Sequence, residues 1–301
     1  MNSPQNLNTI IFTIARMNPP TPGHLTLITH LIKEAVRLNV PKVFLILSKT
    51  NNSSKDPIPC DKNPNAPELS YKTEVIDLMV AKLQQKLGTN IEVICRCVSN
   101  TPTPPGIRQP TTFSTLSDII YKDFKDVKNL NLIMFVGDDR VSLIDSVTSS
   151  YYLKDDNIRS MDGKAADRPE MSTYKNLSDE QLANLSIETI PTESFSGSLV
   201  RRFVFLGLKN KINDIYKPYL NQSQIDALYD TLLKGQTLGE PKKEKEEQNY
   251  QPKYTYPLSK GTGGSKKRRY KKRLTKRAIK KTVRKRTRRN KRMTNKRMTN
   301  K

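Results

Sequence analysis

Five short stretches of the chain are apolar at nearly every position rather than at every second one. They are "NTIIFTI" (8–14), "KVFLILS" (42–48), "IEVICRCV" (91–98), "LNLIMFVG" (130–137) and "LSIETI" (185–190). Runs of that kind suit strands buried on both faces, the situation inside a parallel sheet. Between them the period lengthens. In "HLTLITHLIKEAVRL" (24–38), Leu27 and Leu31 and then Ile28, Ile32 and Ala35 recur at helical spacing. "YKTEVIDLMVAKLQQKL" (71–87) does the same with Val75, Leu78, Met79 and Leu83, and "FSTLSDIIYKDF" (113–124) is a shorter third case. Strand–helix alternation predicts an α/β fold: a Rossmann-like, doubly wound, five-stranded parallel sheet with helices on both faces.

After the fifth run, "SFSGSLVRRFVFLGL" and "NQSQIDALYDTLLKG" predict C-terminal helices. The second would have Ser223 as N-cap, Asp226 three residues on, and Gly235 as its stop. Residues 150–180, with "MDGKAADRPEMS", are polar and read as a long surface excursion. Beyond Gly235 the apolar period is lost. The expected organisation is an α/β domain over 1–235, a linker over 236–265, and a disordered Lys/Arg-rich tail over 266–301 that ends in a tandem "KRMTN" repeat.

Charge sharpens this division. The formal net charge is +24, but residues 266–301 hold 21 of the 53 basic residues and no acid. The other 32 face all 29 acids, so the body carries only +3. An argument from charge to a polyanion or nucleic-acid partner therefore concerns the tail alone. A targeting signal or a solubilising arm is the competing account of the tail. No apolar run approaches the roughly 18 residues of a membrane span, so no membrane partner is expected. The three cysteines, Cys60, Cys95 and Cys97, are too few for a disulfide framework and read as buried thiols in a reducing compartment. Cys95 and Cys97 should share one face of their strand. The expected location is intracellular and cytoplasmic, with nucleus or virion as the alternatives a basic tail allows.

Candidate chemistry gathers after the strands. In an open parallel sheet, ligands bind beyond the carboxyl ends of the strands where the strand order reverses. The first such turn is "ARMNPPTPGH" (15–24). Thr21 can cap the next helix, Pro22 suits its first position, Gly23 leaves the backbone uncrowded, and His24 falls in the first turn beside open N–H groups. A histidine there can donate to an oxygen that gains charge in phosphoryl or nucleotidyl transfer; a Pro/Gly turn with a solvated histidine fits the same residues. "SFSGSLVRR" (194–202) offers a second clamp: Ser196 and Ser198 hydroxyls, the uncrowded Gly197, and Arg201 one turn in. A Ser-capped helix with a surface arginine is the alternative. "FVGDDR" (135–140) closes the fourth strand, with Gly137 leaving room and Asp138 or Asp139 able to accept ribose hydroxyls, or simply to pair with Arg140.

These segments together resemble the HIGH-motif nucleotidyltransferase superfamily. "ARMNPPTPGH" is similar to its first motif, His/Thr-x-Gly-His, with Thr21 and His24 in the two key places. "FSGSLVR" is similar to the second, Ile-Ser-Ser-Thr-x-Ile-Arg, through Ser196, Ser198 and Arg201, and "VGDDR" to the Gly-x-Asp segment. The resemblance spans about residues 8–235. Three positions depart from it: Ala15 and Met17 stand for the usual Gly and Phe, and Gly197 for the usual Ser.

The resemblance implies transfer of a nucleoside monophosphate from a nucleoside triphosphate to a phosphorylated small-molecule acceptor, with release of pyrophosphate. Asn18-Pro19 and Val200-Arg201-Arg202 are most similar to nicotinamide or nicotinate mononucleotide adenylyltransferases, which puts AMP from ATP ahead of cytidylyl transfer. Thr21, His24 and Arg201 would be catalytic. Arg16, Met17, Asn18, Gly23, Gly137, Asp138, Ser196 and Ser198 would bind nucleotide; Lys49, Asp139 and Arg140 are further phosphate or substrate contacts. Mg²⁺ would ride on the triphosphate rather than in a protein cage. A catalytically idle nucleotide-binding fold, with the tail gripping nucleic acid, is the alternative class.

Overall fold

The computed structural model describes residues 6–48, 56–102, 109–137, 140–149, 157–166, 174 and 176–237. The chain divides into two units, Met1–Lys242 and Lys243–Lys301, and every described residue belongs to the first. The expected tail and most of the linker lie outside the described residues.

The strands are β1 (Thr9–Ala15), β2 (Lys42–Leu47), β3 (Glu92–Cys97), β4 (Leu130–Gly137) and β5 (Ile158–Ala166). They form one sheet in the order β3-β2-β1-β4-β5 with every pairing parallel. The expected α/β, Rossmann-like sheet is present. β1 and β2 are the central pair of the first winding, and their continuous apolar character follows from burial on both faces: all seven residues of β1 are buried.

Helices α1 (Pro22–Leu38) and α2 (Lys72–Leu87) cover one face together with α5 (Asp179–Asn184), α6 (Gly197–Phe205), α7 (Lys209–Tyr216) and α8 (Gln222–Thr237). The other face packs against α3 (Thr112–Asp118) and α4 (Ser142–Thr148). α3 continues as a π-helical turn, Ile119–Asp123, so the third predicted helix is interrupted. α1 ends at Asn39 in the left-handed region, φ 54°, where an amide side chain is better tolerated than most.

Two predictions fail here. The fifth strand is not 185–190. That run makes a single 3₁₀ turn, Ile187–Thr189, while Ile190 drops into the core. The true β5 comes from the stretch read as a surface excursion. It is an edge strand, only partly covered, so it needs no apolar run and its sequence "IRSMDGKAA" carries none. Glu34 on α1 ties it down, accepting from Lys164 at 2.6 Å.

The last helix also differs. Asn221 caps α8, not Ser223: Gln224 N–H donates to Asn221 Oδ1 at 3.0 Å, and Asn221 N–H donates to Gln224 Oε1 at 3.0 Å. Gly235 does not stop the helix. It lies inside it because Pro57 crosses there: a Cβ at Gly235 would lie 2.0 Å from the Pro57 Cβ.

Cys60 and Cys97 form a disulfide, which corrects the reading of three thiols. The two are 37 residues apart, and only the fold brings the segment after β2 to the end of β3. Cys95 stays a thiol, pushed up to about 12 by burial and by the nearby Asp77 and Asp61. Among the described residues no helix is long and apolar enough to cross a membrane.

Candidate functional site

The strand order reverses between β1 and β4, since the chain leaves β1 toward β2 on one side and returns through β4 on the other. At the carboxyl ends of these two strands lies a cavity of about 260 Å³. Its wall includes Arg16, Met17, Asn18, His24 and Gly137, and, from the start of α6, Ser196, Ser198 and Arg201. Arg140, exposed just past β4, joins them. Residues predicted from three separated segments thus meet in one place. Lys49, Asp138 and Asp139 lie outside the described residues.

The turn after β1 is pinned from several sides. Asn18 is 3% exposed. Its side-chain amide donates to the Ile58 carbonyl at 3.1 Å and accepts from the Ile58 N–H at 3.3 Å, and it also bonds to Asp56. Tyr216, fully buried in α7, donates to the Pro20 carbonyl at 2.6 Å; burial pushes its phenol pKa up. The Asn18-Pro19 peptide is cis, and Met17 holds φ 45°. A non-glycine residue in that region carries a cost of about 1–2 kcal/mol, which these surrounding bonds offset.

Thr21 does not reach the cavity. It is fully buried, and its hydroxyl donates to the Phe195 carbonyl at 2.6 Å, tying the start of α1 to the approach to α6. Its second partner is His24. The Thr21 backbone N–H donates to His24 Nδ1 at 3.0 Å, so the imidazole closes a capping box from the far end, where a Glu or Gln usually stands. A backbone N–H has only a proton to offer. The Nδ1 that receives it is therefore unprotonated, and the neutral ring carries its proton on Nε2. The Thr21 hydroxyl lies 2.7 Å from Nδ1 and can share its one proton between that nitrogen and the Phe195 carbonyl. His24 is half-buried and lines the cavity, with its orientation set from behind. Gly23 is buried within the same first turn.

α6 begins at the Ser196 cap, whose hydroxyl accepts from the Leu199 N–H at 3.2 Å. Arg201 reaches back to bond the Asn18 carbonyl and donates to the Ser198 hydroxyl at 3.2 Å. Burial, and next the Arg16 cation, hold the Arg201 guanidinium below its ordinary pKa; Asp56 acts weakly the other way. Arg202 also borders the cavity but is committed to the Asp179 carboxylate at 2.6 Å and the Leu177 carbonyl at 2.9 Å. Gly197 is required by close approach: a Cβ there would lie 2.7 Å from the Asn18 carbonyl oxygen. A serine there would meet the same backbone atoms. Lining the cavity, the buried Thr13 hydroxyl has no hydrogen-bond partner among the described residues.

Four supporting residues escaped the sequence reading: Asp56, Lys72, Tyr216 and Thr13. Only Lys72 left a trace, as a cation in the first turn of α2, where the helix dipole disfavours one. It is 1% exposed and paired with Asp56 at 2.7 Å.

Fold and cavity together define an α/β protein with a cationic cleft at its topological switch point. No family model, curated protein or solved structure matches the chain.

Proposed function

We propose that the chain is a nucleotidyltransferase that transfers a nucleoside monophosphate, AMP from ATP ahead of CMP from CTP, to a phosphorylated small-molecule acceptor. The observation that carries this reading is the Arg16–Arg201 pair. Two guanidinium cations lie close enough to disfavour each other, beside the N-terminus of α6 and a histidine ring fixed as a donor. An anion with several oxygens relieves that repulsion and meets the open helix amides.

The acceptor phosphate is already an anion at pH 7, so the attack on the α-phosphate needs no general base. Catalysis is alignment and charge stabilisation. His24 donates from Nε2 to the oxygen gaining charge, and Arg201, Ser196 and Ser198 hold the β- and γ-phosphates that leave as pyrophosphate. Thr21 acts through His24 rather than on the substrate. Mg²⁺ enters on the triphosphate as part of the substrate. The described cavity wall offers cations and hydroxyls, groups that bind phosphate oxygens.

The test is pyrophosphate release by the full chain, screened over four nucleoside triphosphates and a panel of acceptors that includes nicotinamide and nicotinate mononucleotides and phosphopantetheine. His24→Ala is the control and should lower turnover by about 10²–10³ while the fold persists. Absence of turnover for every pair, with no thermal stabilisation by any triphosphate, would refute the reading. The tail, with 21 basic residues and no acid, is proposed to hold a polyanion independently of the cleft.

A further inference from the structure

Residues 56–60 form a short segment without regular structure between β2 and α2, and the candidate site leans on it. Asn18 exchanges two hydrogen bonds with the Ile58 backbone and one with Asp56. Asp56 in turn pairs with Lys72, both side chains buried to within 3% of full. The carbonyl of Asn18 is the group that Arg201 bonds. A single chain of contacts therefore runs from the segment through Asn18 to the arginine of the cleft. At its far end the segment is held by backbone bonds from α2, Lys72 N–H to Pro59 at 3.0 Å and Thr73 N–H to Cys60 at 3.1 Å, and by one covalent tie, Cys60 to Cys97 at the end of β3.

We propose that the Cys60–Cys97 disulfide is a redox-sensitive clasp on the cleft, positioning Arg201 through Ile58 and Asn18. The part concerning ligand affinity rests on the triphosphate reading above; the part concerning the segment does not. The chemistry is thiol–disulfide exchange with a dithiol reductant. One reductant thiolate attacks Cys60 Sγ, the half-buried sulfur, and forms a mixed disulfide while Cys97 leaves as a thiolate and takes a proton. The second reductant thiolate then closes its own disulfide and releases Cys60. Two electrons and two protons pass from the dithiol to the cysteine pair. Cys95, two residues from Cys97, does not compete, because its thiol is pushed up to about 12 and is poorly nucleophilic at neutral pH. With the tie open, the segment keeps its hydrogen bonds, the Asp56–Lys72 ion pair and the packing of Ile58 and Pro57 but no covalent anchor, and it opens more often.

The experiment uses the full chain, oxidised and then reduced with dithiothreitol, with thiol counting to verify the state. Hydrogen exchange at the Ile58 and Asn18 amides reports the segment without any ligand. Reduction should speed it by about tenfold, as a local opening released from one tether, and leave the middle of α1 unchanged. Calorimetric titration with inorganic triphosphate should show affinity falling about five- to tenfold, in the lower range of couplings between separate sites. By reciprocity, saturating triphosphate should shift the dithiothreitol exchange equilibrium toward the disulfide by the same factor. Cys60→Ser should behave as the reduced protein and ignore dithiothreitol, and Cys95→Ser should respond as the unmodified chain does. Unchanged exchange at Ile58 after verified reduction overturns the proposal, and so does a uniform rise across the fold. If the segment loosens but triphosphate binds neither state, the clasp stands as a structural device and the triphosphate reading is what fails.

Discussion

Placing a serine or a plain alanine at position 197 should damage this protein. A Cβ built on Gly197 lies 2.7 Å from the Asn18 oxygen, 3.0 Å from its carbonyl carbon and 3.3 Å from the Pro19 oxygen. All three are backbone atoms, so no side chain can swing away. Asn18 is held by Ile58, and Pro20 by Tyr216, so the turn resists moving the several tenths of an ångström required. Overpacking of this kind costs about 1–3 kcal/mol. Removing glycine from the start of α6 returns at most about 1 kcal/mol. Set against the full return, the balance is a loss of up to about 2 kcal/mol, or up to roughly 8 °C in melting temperature for a domain of this size. Activity should fall further than stability, because the displaced carbonyl is the one Arg201 bonds; misplacement of about 1 Å can cost 10²-fold. Thermal denaturation and pyrophosphate release by Gly197→Ala and Gly197→Ser measure the two effects. Melting within 1 °C of the unmodified chain together with undiminished turnover would show that the close approach of the two motifs does not shape the site.

Arg201→Ala should weaken triphosphate binding and turnover by about tenfold or more, as for a lost charge-assisted contact, and Arg202→Ala by much less, since Arg202 is already bound to Asp179 and Leu177; equal losses would mean the helix presents both. Arg37, and after it Lys164, hold the Glu34 carboxyl down at about 2, against an ordinary 4.5. A depressed carboxyl stabilises the fold above its unfolded pKa and loses that contribution as pH falls through the folded one. Glu34→Gln should therefore cost on the order of 1 kcal/mol at pH 7, allowing for the exposure of Arg37, with the difference shrinking from pH 5 toward pH 3 in urea titrations. A chain ending at Gly264 should keep its nucleotide chemistry but lose the salt-dependent part of duplex DNA affinity, a drop of about 10³–10⁵ between 50 and 200 mM salt if 6–10 phosphates are engaged; identical titrations for the two chains would remove the tail from that role.

Apolar pattern alone was enough for β1, β2, β3 and β4 and for α1 and α2: burial on both faces leaves a run in β1, β2 and β4, the partly buried edge strand β3 still carries one, and burial on one face leaves a helical period. The same pattern misplaced β5. An edge strand is held by β4 and by Lys164–Glu34, and neither leaves a hydrophobic mark in its own sequence. At the site, local order was sufficient to nominate His24, Ser196, Ser198 and Arg201, since helix starts advertise themselves through Pro, Gly and Ser. What those residues do to one another needed the fold. His24 takes its tautomer from Thr21, Arg201 takes its direction from the Asn18 carbonyl, and Gly197 is glycine because that carbonyl passes beside it. Asp56, Lys72, Tyr216 and the Cys60–Cys97 bond support the turn from far along the chain: Asn18 and Asp56 are 38 residues apart, Pro20 and Tyr216 196. Periodicity records which face of an element is buried; it does not record which distant polar group waits there, and that pairing is decided only when the sheet closes and the helices dock.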